Sequence, residues 1–372
     1  MNKYLIAWLC FQGAVMAHAA PPAPSKTERY ERRCQSQAAL RTVKPQGTML
    51  WGTRRSWYTE KQTDERSSVL VSASLEPLRQ ADTGVAALRL EGGHLEASPA
   101  TRGVVGTVLQ GTDSQGRPVE VAICGAEPSP EDPGMVWYRI ETWNAVAQEW
   151  ENPCVALEQV PDPRALAVGG VWDASGARQD VPGRITFACE NGAITKCIRW
   201  GYKPWESRDG QPLTDLHQAC TRMARADYCG NGRSHTHRDT IIDMYDRLGV
   251  LARTVESSAE WNPALASFEA AWAPNGATCL ARTRDGRALE AILEECPRRF
   301  RRSAELDLGE GDRCSVQRVG GGSEAALLRN QSYGGTPRSA ASEPCGTAGP
   351  CEGAVSPARA PEATRPPHPA AG

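Results

Sequence analysis

Apolar positions in the first half of the chain come in short runs of strand length and strand period. Residues 69–71, 85–90 and 104–109 are β-branched or alternating, and each run predicts a strand. Asp113-Ser114-Gln115-Gly116 then turns the chain into a returning strand over 118–124, a hairpin in which Gly116 supplies the positive φ. Residues 135–143 set Val136, Tyr138 and Ile140 against Trp137, Arg139 and Glu141, the pattern of a strand with one buried face. Further strands are expected over 166–172 and 185–189, with a turn at 173–176 between them. Asn191-Gly192 predicts a hairpin leading into residues 194–202.

The period changes after Pro212. Leu213, Leu216, Cys220, Met223, Ala224 and Asp227 recur at helical spacing, and Gly230-Asn231-Gly232 tolerates the left-handed geometry that ends a helix. A second helix is predicted over 262–272, a strand over 277–283 after the Asn275-Gly276 turn, and a helix over 287–296 that Pro297 stops. From Gly320 onward Gly, Ala, Pro and Ser dominate with few large apolar residues, which predicts disorder.

These elements divide the chain into a signal peptide (1–19), a flexible lead-in (20–48), a β-rich domain (49–160), a second domain (164–315) and a disordered tail (316–372). Pro161-Asp162-Pro163 is the expected linker. The fold class that follows is α+β: an N-terminal, mainly antiparallel β region, a disulfide-stapled α+β domain, and the tail.

Composition narrows the function classes. The chain has 372 residues, 40% apolar and 23% charged, with a net charge of -2, so no global field favours nucleic acid or an acidic membrane surface. After the N-terminus no run of about 18 apolar residues appears, so no transmembrane span is expected in the mature chain. At the N-terminus Lys3, the apolar stretch 4–15 and Ala17-His18-Ala19 make an export signal with an A-x-A cleavage site. The expected location is therefore periplasmic, at the cell surface, or secreted.

Cleavage removes Cys10 and leaves twelve cysteines: Cys34, Cys124, Cys154, Cys189, Cys197, Cys220, Cys229, Cys279, Cys296, Cys314, Cys345 and Cys351. An even count in an exported chain without tight C-x2-C pairs predicts disulfides rather than zinc. Cys124 and Cys154 bracket one strand and are candidates to staple it. Nine residues along an unbroken helix place Cys220 and Cys229 about 13 Å apart, beyond the roughly 7 Å that a bridge spans. Cys189 and Cys197 are then the nearest partners. The competing arrangement, 189 with 197 and 220 with 229, requires the helix to end before Tyr228. Cys345 and Cys351 most simply bond each other.

The tetrapeptide Ala226-Asp227-Tyr228-Cys229, with the flanking stretches and FEAAWAPNGATCLARTR at 268–284, resembles the ADYC domain family of exported bacterial proteins over about residues 183–300. The resemblance implies a location and a domain extent. It assigns no activity, cofactor or catalytic residue.

Candidate chemistry centres on His235-Thr236-His237 with Asp239, Asp243 and nearby His217 and Asp227. Two histidines in alternation on an extended segment project the same way, and a carboxylate would complete a site of zinc type. Against this, no H-E-x-x-H spacing is present, and Thr240 with Asp243 also suits a capping box. Asp227 with Arg222 or Arg225 reads as a structural ion pair. Trp200, Trp205, Trp261 and Trp272 offer either core packing or a sugar-stacking platform. Arg298, Arg299, Arg301 and Arg302 form a short basic run suited to solvent or to an anionic polymer. Nucleophile-elbow, P-loop and dinucleotide motifs are absent, and no cofactor is implied. Two functions follow: a non-catalytic binding or structural protein facing cell-envelope or extracellular polymer, or a metal-assisted hydrolase using the His235/His237 segment.

Overall fold

The structure, a computed structural model, describes residues 25–36, 52–53, 71–81, 83–113, 116–156, 160–236, 240–320 and 326–333. The export signal, His237, Asp239, Cys345 and Cys351 lie outside these residues.

The first half opens with α1 (Lys26–Glu31), β1 (Ser72–Pro77), β2 (Ala87–Glu91) and β3 (His94–Ser98). It continues through β4 (Val108–Thr112), β5 (Pro118–Pro128), β6 (Val136–Asn144), β7 (Glu149–Glu151) and β8 (Ala165–Gly169). Next come β9 (Val171–Trp172), β10 (Arg178–Gln179), β11 (Arg184–Cys189) and α2 (Ala193–Arg199). Strands β5, β4, β1, β11, β8 and β6 pair in that order, and a further β5–β6 ladder closes them into a six-stranded antiparallel barrel.

Alternation along each strand decides what fills it. Val121, Ile123, Tyr138, Ile140, Ile185 and Phe187 form one cluster inside the barrel, and the small Ala165 and Ala167 leave room for the Tyr138 and Phe187 rings. A barrel of so few strands is narrow enough to be filled by side chains alone. The intervening Trp137, Leu166, Val168 and Ala188 point outward and pack on Ala193, Ile194 and Ile198 of α2. Hairpin β2–β3 is tied to the barrel by the Leu95 amide, which donates to the Tyr138 hydroxyl at 2.6 Å.

The second half comprises β12 (Ser207–Arg208), β13 (Gln211–Pro212), α3 (Thr214–Ala224), β14 (Ile242–Asp246) and β15 (Ala266–Ala273). It ends with β16 (Gly276–Leu280), α4 (Leu289–Glu295), β17 (Phe300–Asp307), β18 (Arg313–Arg318) and β19 (Leu328–Tyr333). A six-stranded antiparallel sheet runs β14-β19-β15-β16-β18-β17. Helix α3 lies between the two β bodies, with Leu216, Ala219, Cys220 and Met223 packed with the sheet residues Ala270, Trp272 and Leu280. Its other side meets the barrel layer, where Gln218 accepts from the Trp172 indole at 2.9 Å and donates to the Gly176 carbonyl at 2.8 Å. Burial on both sides explains why every residue from Leu216 to Met223 is buried despite a polar composition.

The α+β expectation is therefore corrected. Among the described residues four short α-helices accompany nineteen strands, and the fold is mainly β. Three local readings account for the difference. Residues 262–272 are not a helix: Ala266–Ala273 is β15, because pairing with β19 and β16 on both sides outweighs the helix propensity of its alanines. Asn191-Gly192 turns no hairpin, since Gly192 is the N-cap of α2. Leu328–Tyr333, inside the supposedly disordered tail, forms the strand between β14 and β15. The expected linker at 161–163 is crossed by the barrel itself, which needs β8 and β11 to complete it.

Among the described residues five disulfides join ten cysteines: Cys34–Cys124, Cys154–Cys189, Cys197–Cys220, Cys229–Cys296 and Cys279–Cys314. Cys124 and Cys154 do not bond each other. Cys154 lies at an isolated bridge with Thr53 and reaches the end of β11, whereas Cys124 holds the segment after α1. Cys197–Cys220 staples α2 to α3, at a Cα separation of 5.8 Å.

Candidate functional site

The tetrapeptide 226–229 sits where α3 ends, and each of its residues meets a different part of the fold. Ala226 takes a φ of 51°, the left-handed turn that stops the helix. Asp227 then points back under the turn. Its carboxylate accepts from Arg222 Nη1 at 2.6 Å, from Arg225 Nη1 at 3.5 Å, and from the amides of Asn231 and Gly232 at 3.1 Å. Arg222 also donates to the carbonyls of Pro274 and Ser175, so one fully buried guanidinium ties the motif to both β bodies.

Tyr228 stacks on Trp272 with ring centroids 5.3 Å apart. Its hydroxyl donates to Glu269 at 3.1 Å and accepts from the Arg284 amide at 2.7 Å. Burial and the neighbouring Glu269 charge push the phenol well above its ordinary pKa. Cys229 completes the motif by bonding Cys296 at the end of α4. Arg284 pairs with both oxygens of Glu269 and caps α3 by donating to the Met223 and Ala224 carbonyls. Burial alone would raise the Glu269 carboxyl, but Arg284 and Ser332 outweigh it and hold the group below the usual carboxylate range.

The histidines are held by the same region. His235 is buried, with Nδ1 3.0 Å from the Ala226 carbonyl and Nε2 3.0 Å from Glu295. His217 lies on the opposite side of α3, with Nε2 3.1 Å from the Ile194 carbonyl and its ring edge on Trp172. Complete burial lowers its pKa to about 4. Asp243 is on β14, where it accepts from the Thr254 amide and hydroxyl and from Gln331. It is thus no part of a helix capping box with Thr240. His235 and Asp243 serve separate hydrogen-bond networks. Among the described residues, the ligand atoms that group closely enough for a metal belong to Cys34, Cys124 and Glu141, and those two cysteines are bonded to each other.

The tryptophans part company. Trp272 is fully buried, Trp261 stacks on Tyr333, and Trp200 packs against the α3 core. Of the basic run, Arg299 donates to the Cys229 and Gly230 carbonyls and Arg302 pairs with Glu290, while Arg298 and Arg301 are exposed.

Trp205 lines a cavity of about 470 Å³ between the turn of hairpin β2–β3, the loop at 132–136 and the segment 203–206. Lys203 bridges Asp132 and Glu206 on one wall, and Glu91 and His94 form the facing rim. Burial lowers the pKa of Lys203, but its two carboxylate partners outweigh that and raise it. Gly93 lies against the indole so closely that a Cβ there would fall 2.8 Å from Trp205 Cζ2. Sequence reading named Trp205 as one aromatic among four and missed the cavity. Its walls come from three segments far apart in the chain, and only Lys203-Pro204-Trp205-Glu206 was available as a local signal.

No curated protein and no solved structure matches the chain. Residues 101–286 match the family described as the ADYC domain, beginning well before the expected start near 183 and so taking in most of the barrel with α2, α3 and β16. The tetrapeptide that knots these elements together lies inside that span, and the chain belongs to the ADYC domain family.

Proposed function

We propose that the protein is a non-catalytic binding protein of an oxidising space, secreted or facing the cell envelope. The observation that carries this reading is how the candidate reactive groups are used. His235 spends both ring nitrogens on Ala226 and Glu295, Asp227 is filled by two guanidinium groups and two amides, and Asp243 is filled by Thr254 and Gln331. A general base or metal ligand needs a lone pair directed at solvent or substrate, and these side chains direct theirs inward.

The disulfides support the location, since such bonds form and persist in oxidising compartments. Among the described residues no helix is long and apolar enough to cross a membrane. The alternative of a metal-assisted hydrolase using His235, His237, Asp239 and Asp243 receives less support, because His235 and Asp243 are engaged elsewhere.

Elemental analysis of the full chain, purified without chelators, tests the choice. Substoichiometric metal and no metal-dependent hydrolysis are expected. Stoichiometric zinc that is lost in a His235→Ala variant would overturn the reading.

A further inference from the structure

We infer that the cavity beside Trp205 binds a sugar unit of a neutral, extended oligosaccharide. This rests on the binding-protein reading above and names the ligand class that reading leaves open.

Three features of the site carry the inference. The first is a fixed apolar face. The backbone of Gly93 lies on the Trp205 ring, and the ring also packs on the barrel cluster that contains Met135, so its orientation is set before any ligand arrives. An indole held in this way offers a flat surface for the C–H face of a pyranose.

The second is the polar rim. Lys203 donates, the carboxylates of Asp132, Glu206 and Glu91 accept, and His94 does either according to its tautomer. A hydroxyl is both donor and acceptor, so a ring of vicinal hydroxyls meets the lone pairs that the rim's own ion pairs leave over, whereas an alkyl ligand meets none of them. The third is charge. Carboxylates outnumber cationic groups around the cavity, and Lys203 is already paired with two of them. This disfavours an acidic sugar. It also leaves no carboxylate of the rim unpaired for an organic cation, since Asp132 and Glu206 pair with Lys203 and Glu91 pairs with Arg89 at 2.8 Å, and one indole without a surrounding aromatic cage would hold such a cation weakly.

The volume, about 470 Å³, falls in the range of small-ligand sites and opens to solvent, as a site gripping part of a longer chain requires.

The test is titration of the full, disulfide-bonded chain with cellotetraose, maltotetraose, chitotetraose and trigalacturonate, followed by indole fluorescence and calorimetry. Saturable binding of at least one of the first three is expected, with trigalacturonate inert. Trp205→Ala should weaken binding about tenfold, equivalent to about 1.4 kcal/mol. Because Trp205 also contributes to packing, Glu206→Gln and His94→Ala serve as second variants. Glu206 and His94 line the rim, and their loss should weaken binding without shifting the melting temperature.

No saturable binding of any neutral oligosaccharide would overturn the proposal, as would binding that Trp205→Ala and Glu206→Gln both leave unchanged. The binding-protein reading fails separately, on stoichiometric metal with hydrolysis, so the two failures are told apart.

Discussion

Glu269 and Arg284 form a two-point ion pair with no access to solvent, Nε to Oε2 at 3.0 Å and Nη2 to Oε1 at 2.9 Å. The pair joins β15 to the C-terminal end of α3, since the same guanidinium donates to the helix's last carbonyls. Tyr228 adds its hydroxyl to Glu269, so the family tetrapeptide and the sheet share one carboxylate. Breaking a buried pair on one side strands the other charge. Arg284→Met should destabilise the chain by about 3–5 kcal/mol. Urea unfolding with disulfides intact measures this, and a loss under about 1 kcal/mol would contradict it.

His217 sets the acid limb of stability. In the unfolded chain it has the ordinary value of 6.5, and in the fold burial lowers this to about 4. Above pH 6.5 neither state binds the proton and the group contributes nothing. Between about 6.5 and 4 the unfolded chain binds it and the folded chain does not, so stability falls as pH falls. The loss is complete below about 4 and amounts to about 3 kcal/mol. Glu269 and Glu295, both held below the usual carboxylate range, lose their contributions only at lower pH. His217→Gln should flatten the stability curve between pH 6.5 and 4, read as melting temperature against pH. An unaltered slope would count against the assignment.

The bridges make their own forecast. Alkylation of the unreduced chain should leave all ten cysteines of the five pairs unmodified, and peptide mapping should recover Cys197 linked to Cys220 and Cys229 linked to Cys296. The double substitution Cys197→Ser, Cys220→Ser opens a loop with a sequence separation of 23 and should cost about 3 kcal/mol. Recovery of Cys124 linked to Cys154 would contradict the connectivity.

Gly230 has a φ of 66° and follows the tetrapeptide where it meets the turn between β15 and β16, and a Cβ there would overlap the Asn275 carbonyl. Gly230→Ala combines left-handed strain with this clash, so a loss above about 2 kcal/mol is expected. Circular dichroism melts would show it as a clear drop against wild type, and an unchanged melt would refute it.

Several barrel strands were readable from short runs of β-branched or alternating apolar residues, and α3 from its helical spacing, although it stops at the left-handed Ala226 rather than at Gly230-Asn231-Gly232. Closure was not readable. The β5–β6 ladder that shuts the barrel and the β19 insertion are pairings between distant segments, and periodicity carries no information about partners. The 262–272 misreading has a different source, an alanine-rich strand whose local preference is helical and whose neighbours overrule it. Asn191-Gly192 failed because one dipeptide suits both a tight turn and a helix start. At the candidate site, the Asp227 pairing with Arg222 and Arg225 was within reach of sequence logic. The grouping of Trp205 with Asp132 and His94 was not.

Strand β19 sits between β14 and β15, so residues 328–333 furnish an inner member of a sheet whose other strands are all synthesised earlier. The two flanking strands cannot acquire their shared hydrogen-bond partner until that late segment has emerged. Assembly of this half therefore waits on that segment, and a polypeptide shortened before Leu328 would be left with a gap at its interior rather than a frayed margin.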